Sequence, residues 1–221
     1  MSGQEISLKA SDGHRLSAWT TEPKGDPVGG VVVIQEIFGV NGHIRDVCQR
    51  FSEAGYRAVA PALFDRRETG VELDYDENGK TRGRKLRTAL DWDESLADIR
   101  AAIDSLAPLP VAAVGFCWGG SLAFLTACRL PVAAAVGYYG GQIKAFPEET
   151  LNAPVILHFG DGDPLISAAD RAQVAQAYPD IPQYVYDAGH GFNCDRRADF
   201  RPEAAALAWQ RTLNFLSTSM A

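Results

Sequence analysis

The sequence predicts an α/β fold: a mostly parallel, doubly wound sheet flanked by helices on both faces. Three observations predict it. Short apolar runs recur along the chain, amphipathic stretches separate them, and glycine-containing turns follow several of the runs. Continuous apolar runs suit strands covered on both faces, and strand–helix alternation suits parallel pairing.

The elements follow in order. Residues 2–22 read as an antiparallel hairpin or edge piece that opens the fold. Val31–Gln35 (VVVIQ) is the first buried strand, followed by a helix over about His43–Ala54 and a strand at Arg57–Ala60. Residues 63–88 are charged and carry no clear period, so they read as a long loop and a candidate lid. A helix follows over about Asp91–Leu106, where Ile99, Ile103 and Leu106 share one face. Strands then fall at Val111–Phe116, Ala133–Tyr139, Val155–Phe159 and Gln183–Tyr186. The helices between and after them lie near Gly120–Arg129, Ser167–Ala177 and Glu203–Leu216.

With 221 residues the chain reads as a single domain, 1–221, with enough apolar material (46%) for a sizeable core. A net charge of -7 argues against a nucleic-acid partner, since no basic stripe is present to neutralise phosphates. No run approaches the roughly 18 apolar residues of a membrane span, and the polar start shows no signal peptide. The four cysteines form neither a CxxC pair nor a zinc-ligand spacing, so the expectation is free thiols in a reducing cytoplasm and no metal.

Gly115-Phe116-Cys117-Trp118-Gly119 follows an apolar strand and opens a helix. This is the G-x-S-x-G elbow with cysteine in the serine position. The chain turns sharply there, and glycines two before and two after leave room for the turn. The thiol then sits at a helix N-terminus, where the dipole favours a thiolate. The competing reading is a buried structural cysteine, and it stands for Cys48 and Cys128.

Partners for such a nucleophile come downstream, acid before histidine. Gly160-Asp161-Gly162-Asp163 follows the strand ending at Phe159, and Ala188-Gly189-His190-Gly191-Phe192 follows Gln183–Tyr186. His190 would take the thiol proton, and an aspartate would hold its tautomer. Asp161 and Asp163 compete for that place, and either reads equally well as a turn residue. His14, His43 and His158 have no comparable setting.

Taken with Gln35-Glu36-Ile37-Phe38-Gly39, these motifs in this order resemble the dienelactone hydrolase (carboxymethylenebutenolidase) family of α/β-hydrolases, over nearly the whole chain. The resemblance implies a Cys117–His190–Asp163 triad, with Glu36 near the nucleophile and helping to deprotonate it. It implies an oxyanion hole from the backbone N–H groups of Ile37 and Trp118, Arg66 as a reader of a substrate carboxylate and partner of Glu36, and Phe38 as a pocket wall. One departure stands out. The family's second carboxylate-binding arginine, four residues after the histidine, is Cys194 here. The function expected is cofactor-free hydrolysis of a small lactone or ester through a thioester. The runner-up is a different, neutral ester or lactone. A thiol redox protein and a silent binding module are the remaining alternatives. No nucleic-acid or membrane partner is expected, and the chain reads as a monomer or small homo-oligomer.

Overall fold

The computed structural model describes residues 3–221, so residue 2 of the expected opening hairpin lies outside the described residues. Eight strands and six α-helices alternate among them, and the mostly parallel α/β-hydrolase architecture is the one expected. The chain divides within one strand, β5 (Val111–Phe116), into two compact units, Met1–Ala113 and Val114–Ala221.

In the first unit β1 (Gln4–Lys9) and β2 (Arg15–Thr21) form the antiparallel hairpin, in register from Gln4↔Thr20 to Lys9↔Arg15. Next come β4 (Arg57–Pro61), antiparallel to β2, and β3 (Gly30–Ile34), parallel to β4. All five residues of β3 are buried, which is why it reads as an unbroken apolar run. Helices α1 (Gly42–Glu53) and α3 (Trp92–Ser105) pack against these strands. Asn41 caps α1 by accepting from the Ile44 N–H, and Asp91 and Glu94 close a capping box on α3.

The expected loop over 63–88 needs correction. It contains a 3₁₀ turn (Leu63–Arg66) and a twelve-residue helix, α2 (Glu77–Thr88), capped by Asp76. Two glycines bring α2 close to its neighbours. A Cβ on Gly83 would lie 2.0 Å from the Ile37 carbonyl oxygen, and one on Gly79 1.9 Å from that of Asp74. The segment before α2 is fastened too: Leu73 N–H donates to Phe38 O (2.9 Å), and the Phe38 and Tyr75 rings lie 4.5 Å apart.

In the second unit β6 (Ala134–Tyr138), β7 (Val155–Gly160) and β8 (Gln183–Tyr186) run parallel in that order. Helix α4 (Trp118–Arg129) packs on β6 and is buried from Trp118 to Cys128, so its polarity shows no face. Helix α6 (Pro202–Ser219) packs on β6 and β7. Between strand and helix lies His158, fully buried on β7. Its Nδ1 meets Tyr186 Oη at 2.8 Å and its Nε2 meets Thr212 Oγ1 at 3.2 Å. Thr212 Oγ1 also meets Tyr138 Oη at 2.7 Å. Burial, and secondarily the charge of Arg211, pull the His158 pKa down to about 3, so this histidine stays neutral.

Candidate active site

Cys117 stands between β5 and α4 (Trp118–Arg129), with φ 56° and ψ -116°. A side chain rarely tolerates that backbone, so neighbours must enforce it. They do. The Cys117 N–H donates to Tyr138 O at 2.9 Å, and its carbonyl accepts from Gly120 and Ser121 as α4 begins. A Cβ on Gly115 would sit 1.8 Å from the Gly119 carbonyl oxygen, and one on Gly120 2.5 Å from that of Tyr138. Gly115 and the adjoining Gly120 are therefore required by backbone-to-backbone approach. Cys117 caps a twelve-residue helix, so its sulfur lies where the helix favours negative charge.

The second unit brings three of the expected side chains together. His190 Nε2 lies 3.1 Å from Cys117 Sγ, and His190 Nδ1 lies 2.7 Å from Asp163 Oδ2. The other oxygen of Asp163, Oδ1, accepts from the Leu165 N–H at 2.8 Å. Asp163 is thus held at both oxygens, and its side chain is fully buried. The Tyr139 ring, on a second positive-φ residue (40°), packs 5.1 Å from the imidazole. Burial alone would lower the His190 pKa. The negative charge of Cys117 and the hydrogen bonds to Asp163 and Cys117 outweigh it and hold the pKa well above its ordinary value.

Asp161, the competing carboxylate, points elsewhere. Its Oδ1 accepts from the Ala188 N–H at 3.3 Å, and its own N–H donates to Tyr186 O at 2.8 Å. It ties the acid-bearing loop to the histidine-bearing one. The other cysteines differ in kind. Cys48 is fully buried and burial pushes its pKa up; burial, then the charge of Glu149, pushes Cys128 up to about 12. Neither has the setting of a nucleophile.

The remaining expected residues sit as follows. Trp118 is the first residue of α4 and is buried. In the first unit, Glu36 and Phe38 follow β3 and are 1% and 2% exposed. Arg66 is not paired with Glu36. Its Nε and Nη2 each donate at 2.8 Å to the two oxygens of Asp98, and its Nη1 meets Asp12 at 2.7 Å. Asp98 is fully buried and also meets His14 Nδ1 at 3.1 Å. Burial raises the Asp98 pKa despite these partners. Three of the guanidinium's five N–H donors are taken by carboxylates of the chain itself, and those two carboxylates already offset its charge, so it offers a substrate carboxylate a weakened pull. Sequence reasoning missed this cluster because Asp12 and Asp98 are remote from Arg66 in the chain. It missed Tyr139 because a tyrosine at a strand end looks like ordinary core.

A sequence profile of the dienelactone hydrolase family matches residues 16–220. The chain belongs to this family. A carboxymethylenebutenolidase from Pseudomonas putida is 35% identical over 226 residues, covering 96% of this chain and 95% of that one. A crystal structure from Klebsiella pneumoniae subsp. pneumoniae, assigned as a dienelactone hydrolase, superposes with a TM-score of 0.84 at 28% identity, covering 98% and 99% of the two chains. The Pyrococcus furiosus esterase Pf2001 shares the fold, with a TM-score of 0.71 at 16% identity over 99% of this chain and 93% of that one. As a dienelactone hydrolase family member, the chain is an ester or lactone hydrolase. Among the described residues no helix is long and apolar enough to cross a membrane.

Proposed function

We propose that this hydrolase opens a small lactone or ester through a thioester on Cys117. His190 Nε2 takes the proton from Sγ, and the sulfur attacks the carbonyl carbon. The resulting oxyanion collapses, the C–O bond breaks, and the leaving alkoxide takes the proton from His190; in a lactone it stays attached to the acyl group. His190 then deprotonates a water that attacks the thioester. The adduct collapses, the C–S bond breaks, the sulfur takes the proton back from His190, and the acid released ionises to solvent. Asp163 holds the imidazole so that Nε2 faces sulfur throughout. The backbone N–H groups of Trp118 and Ile37 are the proposed oxyanion donors, and Glu36 the proposed aid to deprotonation, both on the family resemblance. A reducing cytoplasm would keep the nucleophile a thiol.

The observation that carries this reading is the hydrogen-bonded run Cys117–His190–Asp163, at 3.1 and 2.7 Å, on a strained elbow. Mass spectrometry of protein quenched early in turnover of an activated aryl ester tests it. The expected result is an acyl mass on the Cys117 peptide that disappears with time. Hydrolysis by Cys117→Ala at the wild-type rate overturns it.

A second observation bears on the substrate. Arg66 is engaged by Asp98 and Asp12, and Cys194 stands in place of the second arginine. This favours substrates without a carboxylate.

A further inference from the structure

The loop carrying Asp163 runs from the end of β7 to the start of α5 (Ala168–Ala177). Most of it is exposed: Asp161, Gly162, Pro164 and Leu165 face solvent, while Asp163 is buried. An exposed loop does not by itself hold a carboxylate in one place, because its backbone hydrogen bonds can exchange with water. Something must fix its ends.

One side chain touches both. Arg171, in the first turns of α5, donates from Nη1 to the carbonyl of Gly160 at 3.2 Å and to that of Ile166 at 3.1 Å. Those carbonyls stand symmetrically, one before and one after Asp163 in the chain. Nη1 carries two hydrogens, so each carbonyl can have its own, and the cationic donor strengthens both bonds. Arg171 makes no ion pair among the described residues. Its charge is directed at these two carbonyls. The α5 N-terminus that carries it is itself fixed by a Ser167–Asp170 capping box. Between the two stapled carbonyls, Asp163 accepts from Leu165 and meets His190.

We infer that Arg171 is a positioning residue of the catalytic apparatus. It sets the span of the Gly160–Ile166 loop and so holds the Asp163 carboxylate against His190 Nδ1, without touching the reacting atoms. The inference rests on the triad proposed above. Loss of the staple lets Asp163 drift from the imidazole, and a misplacement of about 1 Å costs up to about 100-fold in turnover.

The test uses Arg171→Met, Arg171→Gln and Arg171→Lys in the full chain, with an aryl ester as substrate. Arg171→Met is expected to lose about 10-fold or more in kcat with KM little changed. Its alkaline limb of kcat/KM should move to lower pH, because the hydrogen bond to Asp163 is one of the features that raise the His190 pKa. The other groups facing His190, Cys117 and Tyr139, are unchanged in the variant. Arg171→Lys, which keeps a cationic donor, should recover part of the loss. A purely structural Arg171 predicts instead a lower melting temperature with wild-type kcat and pH profile in the folded protein, and that result overturns the inference. Should Arg171→Met not fold, Arg171→Gln supplies the same two readouts. Cys117→Ala run in parallel separates the two failures. An inactive Cys117→Ala beside a wild-type-like Arg171→Met sinks only the staple, whereas an active Cys117→Ala sinks the triad itself.

Discussion

His158 and His190 belong to the same unit, and both are buried, at 0% and 6% exposed. Burial pulls both pKa values down, since it penalises the imidazolium. Yet His158 ends at about 3 and His190 ends above its ordinary value. The difference lies in the partners. His158 is held by two hydroxyls, those of Tyr186 and Thr212, lies over the Tyr138 ring at 4.5 Å, and feels the positive charge of Arg211. His190 is held by a carboxylate and a thiol. The comparison teaches that depth alone does not make a histidine inert. A histidine among neutral donors and acceptors is a cross-link, and one between two acids is a proton carrier.

The sharpest break of this comparison is to remove each ring. His190→Ala, like Cys117→Ala, should cost on the order of 10⁴-fold or more in kcat, since triad members act as a unit. His158→Ala should leave kcat of the folded protein within a few-fold of wild type. Comparable losses in both variants would mean that His158 also serves the reaction.

Next in size are the two aspartates. Asp163→Asn should lower kcat by about 10²–10⁴-fold, because an amide no longer stabilises the imidazolium and can impose the wrong tautomer. Asp161→Asn should change kcat by only a few-fold, since its amide oxygen can still accept from Ala188. Steady-state kinetics on the pair would reveal a reversed order, which would reassign the acid.

The third effect is on stability. His158→Ala opens a cavity and removes partners from Tyr186 and Thr212, for a cost of about 2–4 kcal/mol. Denaturant titration measures it. The same residue gives the protein a pH dependence. Its folded pKa is depressed, so its contribution is fully present above the unfolded value of roughly 6.5 and is lost as pH falls toward about 3. The limiting slope is about 1.4 kcal/mol per pH unit. His190 has the opposite sign: its raised pKa gives a contribution complete below its unfolded value and lost as pH rises through the folded one. Melting curves at pH 4.5 and 6.5 should therefore separate less in His158→Asn than in wild type. An unchanged separation would remove His158 as the source.

The smallest effect concerns the substrate charge. With Arg66 engaged by Asp98 and Asp12, paired esters with and without a carboxylate should differ in kcat/KM by less than about 10-fold. A large preference for the anionic ester would show that Arg66 reads the carboxylate in spite of its own partners.

Much of this was legible in the residues. The central strands announced themselves because each is a largely apolar run, and Cys117 because Gly115 and Gly119 flank it. Spacing left Asp161 and Asp163 open; only the direction of each carboxylate in space separates their contacts. Helix α2 was invisible for a physical reason. The residues it buries are Gly79 and Gly83, and a residue without a side chain adds nothing to an apolar period. His158 showed only the lack of a catalytic setting inside VILHF, because nothing in the sequence tells of hydroxyls arriving from Tyr186 and Thr212. Arg66 could not be read because the carboxylates that claim it come from residues 12 and 98.

The positive φ of Cys117 also bears on how such a protein can change over generations. A non-glycine residue held there costs about 1–3 kcal/mol, and glycine at the same place would cost far less. Selection for heat tolerance alone therefore has an easy first move: replace the proposed nucleophile with glycine and relax the turn. Hardy descendants obtained without an activity screen would be enriched in inert ones. With Cys117 as the proposed nucleophile, the elbow makes folding robustness and reactivity rivals at a single codon, and the demand for turnover is what would keep a thiol there.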